Sequence, residues 1–524
     1  MGFVKKYLSA DGLHKAVINS LQKERLVECR SKFSWKDCVM SGLAIFGLKF
    51  PSLLQFEKEK ASRVISRNLK NLYHVQEVPS DTCMRERLDE LSPSKLRRPF
   101  KTIFAFLQRG KVLERYLYLN KYYIVSIDGT GQFSSNKIHC QNCCEKYHRE
   151  AKTAHAYKAI SISDTVTEGV IGFCTKETGK EKYIIIKRFD VEDVSLKPKT
   201  TADLKIHTMI ECKKSGDCFE KTEQDQLIKS TLLGKYTREA TYYHQMLGAA
   251  IVHPDERVVI PLAPEPIVKS DGDNKNDCER NAAKRLLSDL RREHPHLKAI
   301  IVEDGLASNQ PHLSLLDSLK LQYIIGVKQG DHAFLFDWIK NIKAGEVIIN
   351  RNGTQHKFRY VNDAPLNDKN FDYRVNILEY WETTPKGKKQ YFSWVTSFKI
   401  TQENVFDLMR AGRSRWRIEN ETFNTLKNQG YNFEHNYGHG YNNLCSVMTM
   451  LMMLAFLIDQ VQFLCCKLRK QVKAKCGPWY AVFERIRSLF QMFVWDNWLQ
   501  LYETIIDPEN HPPPNWYGRP MTVA

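Results

Sequence analysis

Arg415-Trp416-Arg417-Ile418-Glu419-Asn420 frames one acidic side chain with cations, and Phe423, Leu426 and Lys427 follow it. At about 100° per residue, a helix here puts Trp416, Glu419, Phe423 and Leu426 on one side. Glu421 falls on the opposite, solvent side of the same helix. A carboxylate on an apolar stripe needs a partner, either a cationic side chain or a metal ion. Arg415, one turn away, would be the cationic partner, and a metal ion is the alternative. Two further carboxylates have a similar setting. Lys121-Tyr-Tyr-Ile-Val-Ser-Ile-Asp128-Gly129-Thr130-Gly131 is an apolar run ending on aspartate and glycine, and Lys298-Ala-Ile-Ile-Val-Glu-Asp304-Gly305 repeats the design. Asp-Gly alone commonly marks a turn. Two such pairs together with Glu419 make a three-carboxylate set that could hold a cation at a sheet edge.

Those carboxylates require a scaffold of buried strands, since continuous apolar runs of this length suit strands covered on both faces. Tyr242–His253 and Arg257–Pro261 are predicted to be adjacent antiparallel strands joined by the turn cluster Pro254-Asp255-Glu256. A helix is predicted over Asn276–Arg292, with Ala282, Leu286, Leu287 and Leu290 on one face and Pro295 beyond its end. The Asp304 strand, a helix near Ser314–Leu319 and a strand at Tyr323 come next. This order is that of an α/β, ribonuclease-H-like mixed sheet with flanking helices, in which three carboxylates meet at one edge. The expected organisation is a helical region over 1–115, either a DNA-binding unit or a cap packed on the next domain, and a core carrying the first two acids over 116–149 and 237–330. An insertion over 150–236 lies in the first hairpin connection, and a β-rich insertion occupies 331–400. The glutamate helix covers 401–440 and a helical C-terminal region 441–524.

Composition narrows the class of partner. The 524 residues carry a formal net charge of +18 and 42% hydrophobic residues, enough for a packed core. The basic balance favours a polyanion, nucleic acid ahead of a membrane surface. Met1–Lys6 is followed by no apolar core, so no secretory signal is expected. The longest apolar run, Leu444–Cys466, contains Asp459, Gln460 and Gln462, which points to a buried core helix instead of a membrane span. Fourteen cysteines without an export signal suit a reducing, cytoplasmic setting.

With these residues on the page, the chain resembles bacterial insertion-sequence transposases of the DDE class, in the cut-and-paste group with a YREK-type signature. Arg415-Trp-Arg-Ile-Glu419 carries the resemblance most specifically, continued by Phe423-Asn-Thr-Leu-Lys427 and Glu434-His-Asn-Tyr-Gly-His-Gly. Gly412 stands where the signature tyrosine would be, and Lys427 follows Glu419 by eight positions where seven is usual. The resemblance implies that Asp128, Asp304 and Glu419 bind two Mg²⁺ (or Mn²⁺) ions and are catalytic, and that Arg415 and Lys427 contact DNA near the cut. It further implies double-stranded DNA partners, namely element ends and target, and a homodimer bridging two ends. The implied reaction is cleavage at the ends of a mobile element followed by joining of 3′-hydroxyls to target DNA.

Other features remain open at the level of sequence. Arg417 is a further candidate for DNA contact. Trp394 could stack on a displaced base or belong to the core. His139-Cys140-Gln-Asn-Cys143-Cys144-Glu-Lys-Tyr-His148 has zinc-like spacing, with Cys140, Cys143, Cys144 and His148 as possible ligands and Cys212 or Cys218 as distant ones. Glu434, His435 and His439 offer a second metal constellation, or the polar cap of a loop. Besides an active transposase, a catalytically inactive or zinc-containing DNA-binding descendant would fit the same residues.

Overall fold

Ile124, Val125 and Ile127 on one apolar run and Ala299–Val302 on another are almost fully buried, as strands covered on both faces should be. The computed structural model describes residues 3–24, 33–148, 154–161, 168–177, 180–190, 218–219, 225–230, 239–272 and 275–514. They divide into two units, Met1–Cys144 with Tyr242–Ala524, and Glu145–Thr241. The smaller unit is an antiparallel five-stranded sheet whose central strands are Lys180–Asp190, Glu168–Glu177 and Ala154–Ser161.

In the larger unit the strands are β1 (Tyr122–Ser135), β2 (Glu239–His253), β3 (Glu256–Pro261), β4 (Ala299–Glu303) and β5 (Gln322–Gly326). After them come β6 (Gly345–Arg351), β7 (Thr354–Pro365), β8 (Arg374–Thr383) and β9 (Lys389–Thr396). Across the sheet the order is β3-β2-β1-β4-β5-β9-β8-β7-β6. β1, β4 and β5 run parallel, while β2 and β3 form an antiparallel hairpin on the outer side of β1. This is a ribonuclease-H-like mixed α/β sheet. The helix Lys275–Glu293 crosses from β3 to β4 and buries Ala282, Leu286, Leu287 and Leu290. Gln310–Ser318 crosses from β4 to β5 and buries Leu313 and Leu316. The strand-rich stretch before residue 400 adds β6–β9 to the same sheet, because β9 pairs antiparallel with β5 through Ile325 and Val395.

The N-terminal helices begin on serine caps. Ser9, Ser34 and Ser80 each accept a backbone N–H from the residue three positions on, satisfying donors a helix start leaves free. Trp35–Gly47 is buried almost all round and lies against Leu444–Cys465. A Cβ at Gly42 would come 2.7 Å from the Leu451 side chain, so the two helices meet at a close crossing.

Leu444–Cys465 is long and apolar enough to cross a membrane by length and composition, yet 89% of its apolar window is buried inside the protein. Its polar residues are matched. Asp459 accepts from Lys49 Nζ at 2.7 Å, the Tyr431 hydroxyl at 2.6 Å and Arg469 at 3.2 Å. Gln462 accepts from the Tyr502 hydroxyl at 2.6 Å. Its N-terminus is capped by Asp89, whose carboxylate accepts the N–H groups of Tyr441, Asn442, Asn443 and Leu444. A carboxylate there also suits the positive end of the helix dipole.

Two buried histidines make this packing sensitive to acid. His14 is wedged between Tyr73 and Trp498, and His294 lies 4.1 Å from the Phe104 ring centre. Burial lowers each to about 4. Both are neutral when folded but take up a proton in the unfolded chain below about 6.5. Their contribution is therefore intact above pH 6.5 and is lost as pH falls toward 4, at up to about 1.4 kcal/mol per pH unit for each group. Denaturant midpoints should be lower at pH 5 than at pH 7, and His294→Phe should flatten that dependence. An unchanged slope in the variant would contradict the assignment.

Candidate active site

The parallel register of β1 and β4 matches Val302 with Ser126. Continued two residues beyond that pair, the register brings Asp304, just past the end of β4, alongside Asp128. Asp128 is still on β1 and half-buried, and its Oδ1 accepts the Gly129 N–H at 2.9 Å. Asp304 lies just beyond β4, exposed, with Oδ1 accepting the Leu306 N–H at 3.0 Å as the cap of a short 3-10 turn. The two aspartates share a small cavity with Glu279, Glu303 and His312. In that cavity the Glu303 carboxylate meets His312 Nε2 at 2.7 Å with both side chains buried.

Glu419 reaches this edge from the segment after β9. Helix Val405–Arg413 ends at Ser414, and a π-helical turn spans Ile418–Phe423 before Asn424–Asn428 resumes α-helical form. Arg415 joins the acids, with Nη1 2.6 Å from Glu419 Oε1 and 3.2 Å from Asp128 Oδ2. Its backbone carbonyl accepts from the Ser126 hydroxyl at 3.0 Å, tying the segment to β1. Asp128 is pushed up to about 7, chiefly by burial, then by its hydrogen bond with Glu419 and by the charges of Glu419 and Asp304; Arg415 opposes the shift. With Glu279 and Glu303 beside them, the three carboxylates outnumber Arg415 and Arg280, an acidic balance that a bound cation would relieve.

The π turn corrects the helical-wheel expectation. The buried face is Ile418, Thr422, Phe423 and Leu426, whereas Trp416 is 41% exposed. The Glu419 side chain is 47% exposed and that of Glu421 only 31%. The wider turn rotates the glutamate off the apolar stripe to its rim, where it faces the aspartates instead of the core. Turns of this kind occur often at functional sites.

Two expected DNA contacts are corrected. Arg417 is buried, donates to the Pro254 carbonyl at 2.5 Å and lies over the Trp416 ring, so its guanidinium is spent on the fold. Trp394 is 5% exposed in a stack with Phe392 and Tyr380, leaving no face for a base. Its indole also explains Gly412: a Cβ there would lie 2.8 Å from the indole ring, so no tyrosine fits at that position. Lys427 is partly exposed and pairs with Glu434 at 2.7 Å.

Gly248 was not singled out by the sequence reading, yet it positions the site. It is the cross-strand partner of Asp128, and a Cβ at 248 would lie 2.9 Å from the Phe423 ring and 3.6 Å from Ile418. Phe423 and Ile418 bound the turn that carries Glu419, so the missing side chain lets that turn settle on β2. The signal was available: a lone glycine inside Met246-Leu-Gly-Ala-Ala-Ile-Val marks close approach of another element.

The cysteine motif divides. Cys140 and Cys143 gather with His244 and His439, and the four ligand atoms lie within 4.8 Å of one another. Among the described residues this is the one group of histidine, cysteine and acidic ligand atoms so tightly gathered, the carboxylate set being more open. Cys144 turns away, its thiol facing the Ile267 carbonyl at 3.9 Å, and so leaves the expected ligand set. The side chains of His148 and Cys218, and the whole of Cys212, lie outside the described residues. Glu434, His435 and His439 do not form one constellation, for Glu434 pairs with Lys427 and His435 packs on Tyr437.

Residues 212–457, a little under half the chain, match the family model described as the transposase DDE domain, a span that includes Asp304 and Glu419. The match is to a domain of DDE-type DNA transposases. No curated protein matches. Seven chains of solved structures are similar. One is a piggyBac transposase synaptic complex with hairpin DNA, at a TM-score of 0.34 and 8% identity, covering 99% of this chain and 85% of that one.

Filling the space at residue 248 should separate Glu419 from the aspartates. Gly248→Val is expected to cost about 1–3 kcal/mol of stability by overpacking and to abolish whatever activity needs the three acids together. Phe423→Ala in the same chain, which vacates the clash, should restore part of that activity. Failure of the second substitution to recover any would remove Gly248 from the positioning role.

Proposed function

We propose that this protein is a DNA transposase of the bacterial insertion-sequence, cut-and-paste type, which cleaves the ends of a mobile element and joins the freed 3′-hydroxyls to target DNA. The observation that carries the proposal is the meeting of Asp128, Asp304 and Glu419, distant in sequence, at one end of a ribonuclease-H-like sheet. The transposase DDE domain match and the net charge of +18 support it independently.

Asp128, Asp304 and Glu419 would hold the two divalent ions, Mg²⁺ or Mn²⁺. Asp128 is raised chiefly by burial and further by Glu419 and Asp304 beside it, and oxygen donors gathered in this way suit such oxygen-seeking cations. When bound, two divalent ions lower the pKa of an attacking water or hydroxyl and stabilise the departing oxygen. The remaining work falls to the chain. Asp128 and Asp304 supply acceptors on adjacent parallel strands, whose buried runs keep them rigid. Glu419 supplies an acceptor from the facing segment. Arg415 bridges Asp128 and Glu419; with DNA at the site its guanidinium would neutralise a phosphate. Lys427, beyond Glu419 on the same segment, would act on the flanking backbone.

A groove of about 630 Å³ in the N-terminal region adds a surface for the duplex. Lys23, Arg98, Lys101, Arg109 and Arg292 line it, with Glu24 and Glu293 as the acids. Cationic side chains along two helices and their neighbours suit sequence-independent contact with phosphates.

Cleavage of a DNA fragment bearing the element's end in the presence of Mg²⁺ tests the reading. Wild type should cut, whereas Asp128→Ala, Asp304→Ala and Glu419→Ala should lose at least about a thousandfold in rate while still retarding the fragment on a gel. Cutting that persists in Glu419→Ala would overturn the proposal.

Because Asp128 sits near 7 and must be ionised to act as a ligand, its proton competes with the metal. Added Mg²⁺ should release protons at pH 7, and apparent affinity should weaken by up to about tenfold per pH unit below that value. Calorimetry in buffers of different ionisation enthalpy reads this directly. Asp128→Asn should show no proton release.

A further inference from the structure

Cys140 and Cys143 close a tight turn, with the Cys143 N–H on the Cys140 carbonyl at 3.2 Å and the Cys140 N–H on the Cys143 sulfur at 3.4 Å. Their sulfurs lie 3.8 Å apart, too far for a bond, and both thiols are free. His244 Nε2 is 3.4 Å from each sulfur, and His439 Nε2 is 3.3 Å from Cys143. These separations can be compared with those a tetrahedral ion would impose. With zinc–sulfur bonds of about 2.3 Å and zinc–nitrogen bonds of about 2.05 Å, tetrahedral ligands stand about 3.8 Å apart for two sulfurs and about 3.5 Å for sulfur and nitrogen. The four separations match that spacing, and the remaining two lie within the 4.8 Å that bounds the whole set.

The backbone around the cluster is shaped to deliver these atoms. His244 lies on β2 opposite Phe133, just past an irregularity between Gly131 and Phe133 on β1. His439 is held between Gly438 and Gly440, both with positive φ, a conformation glycine adopts without strain. Downstream, the turn into helix Leu444–Cys465 is pinned by Asp89. Cys143, His244 and His439 are buried. Polar ligand atoms gathered away from water in this way call for a partner of matching chemistry.

We propose that Cys140, Cys143, His244 and His439 form a closed, four-coordinate zinc site, structural in role. It would fasten together the chain leaving the Asp128 strand, the strand carrying Gly248, and the loop following Glu419. The ion itself is argued from side-chain geometry alone, whereas its role in holding Glu419 near the aspartates rests on the proposed function. Two thiolates and two neutral imidazoles favour zinc over magnesium, so the two metal sites differ in chemistry as well as position.

The full chain, purified under reducing conditions without a histidine tag or added metal, should contain about one zinc per molecule by mass spectrometry of the metal. Cobalt(II) put in its place should show the visible bands of a tetrahedral ion with thiolate charge transfer. Cys143→Ser and His439→Ala should each weaken zinc by at least about tenfold, while Cys144→Ser and Glu419→Gln keep it. Chelation should lower the melting temperature of the wild type but not that of Cys143→Ser. A chain that folds with no zinc, binds none when it is offered and leaves both thiols open to a thiol reagent would overturn the site. Stoichiometric zinc in a protein that never cuts DNA would leave the site standing and defeat the transposase reading. Metal-dependent, triad-dependent cutting by a zinc-free protein would do the reverse.

Discussion

Like charges resist being brought together, and the architecture around residues 128, 304 and 419 is an answer to that resistance. Asp128 stays on the protonated side of its ordinary range because burial and two neighbouring carboxylates disfavour its charge. Only a stiff frame can hold groups that repel. Parallel pairing of β1 and β4 supplies it for the aspartates, since a displacement of either would slide a buried strand out of register. The glutamate has no such strand, and its placement depends on packing from the side: Phe423 and Ile418 against Gly248, and the Ser126 hydroxyl on the Arg415 carbonyl. Arg415 completes the balance by bridging the two nearest acids.

The aspartates were legible in the sequence because of where they stand on their strands. A buried parallel strand must be continuously apolar, and a carboxylate ending such a run stands out against it. Glu419 was legible as a member of a motif but not as a position in space. A regular 100° wheel put it on the core stripe, and no feature of Ile418-Glu-Asn-Glu-Thr-Phe announces a π turn. Tertiary contacts select that turn, and it moves the carboxylate to the rim. Arg417 and Trp394 illustrate the same gap. Residue type alone offered a phosphate ligand and a stacking face, while packing used one on the Pro254 carbonyl and the other beneath Gly412.

The cysteine pair shows where local spacing runs out. Cys140 and Cys143 declare themselves by their separation, and neighbouring Cys144 and His148 seemed natural companions. The histidines that meet them come from 101 and 296 residues beyond Cys143. Nothing short of the fold brings them in. The strands β6–β9 were expected as a β-rich insertion, but their joining to the ribonuclease-H-like sheet depends on the Ile325–Val395 pairing, a long-range match that the local sequence does not encode. Asp459 was the opposite case. A charge inside an apolar helix implied a protein interior, and Lys49, Arg469 and Tyr431 satisfy it there.

A π turn is less favourable than a continuous α-helix, so it persists only where its surroundings over-determine it. The segment bearing Glu419 is restrained on both sides. Upstream, Gly412 lies against Trp394, and a side chain at 412 would lever the helix away from β9. Downstream, the chain is gathered at His439 and again at the Asp89 cap, within a few residues. The intervening stretch is short, and the entropy of closing it was met when both ends were fixed. Restraint at two points converts an otherwise adaptable turn into a defined one, and it explains why residues far from the acids share in setting their geometry. Loosening either end would let Ile418–Phe423 relax toward α-helical form, carrying Glu419 back toward the apolar stripe and away from Asp128.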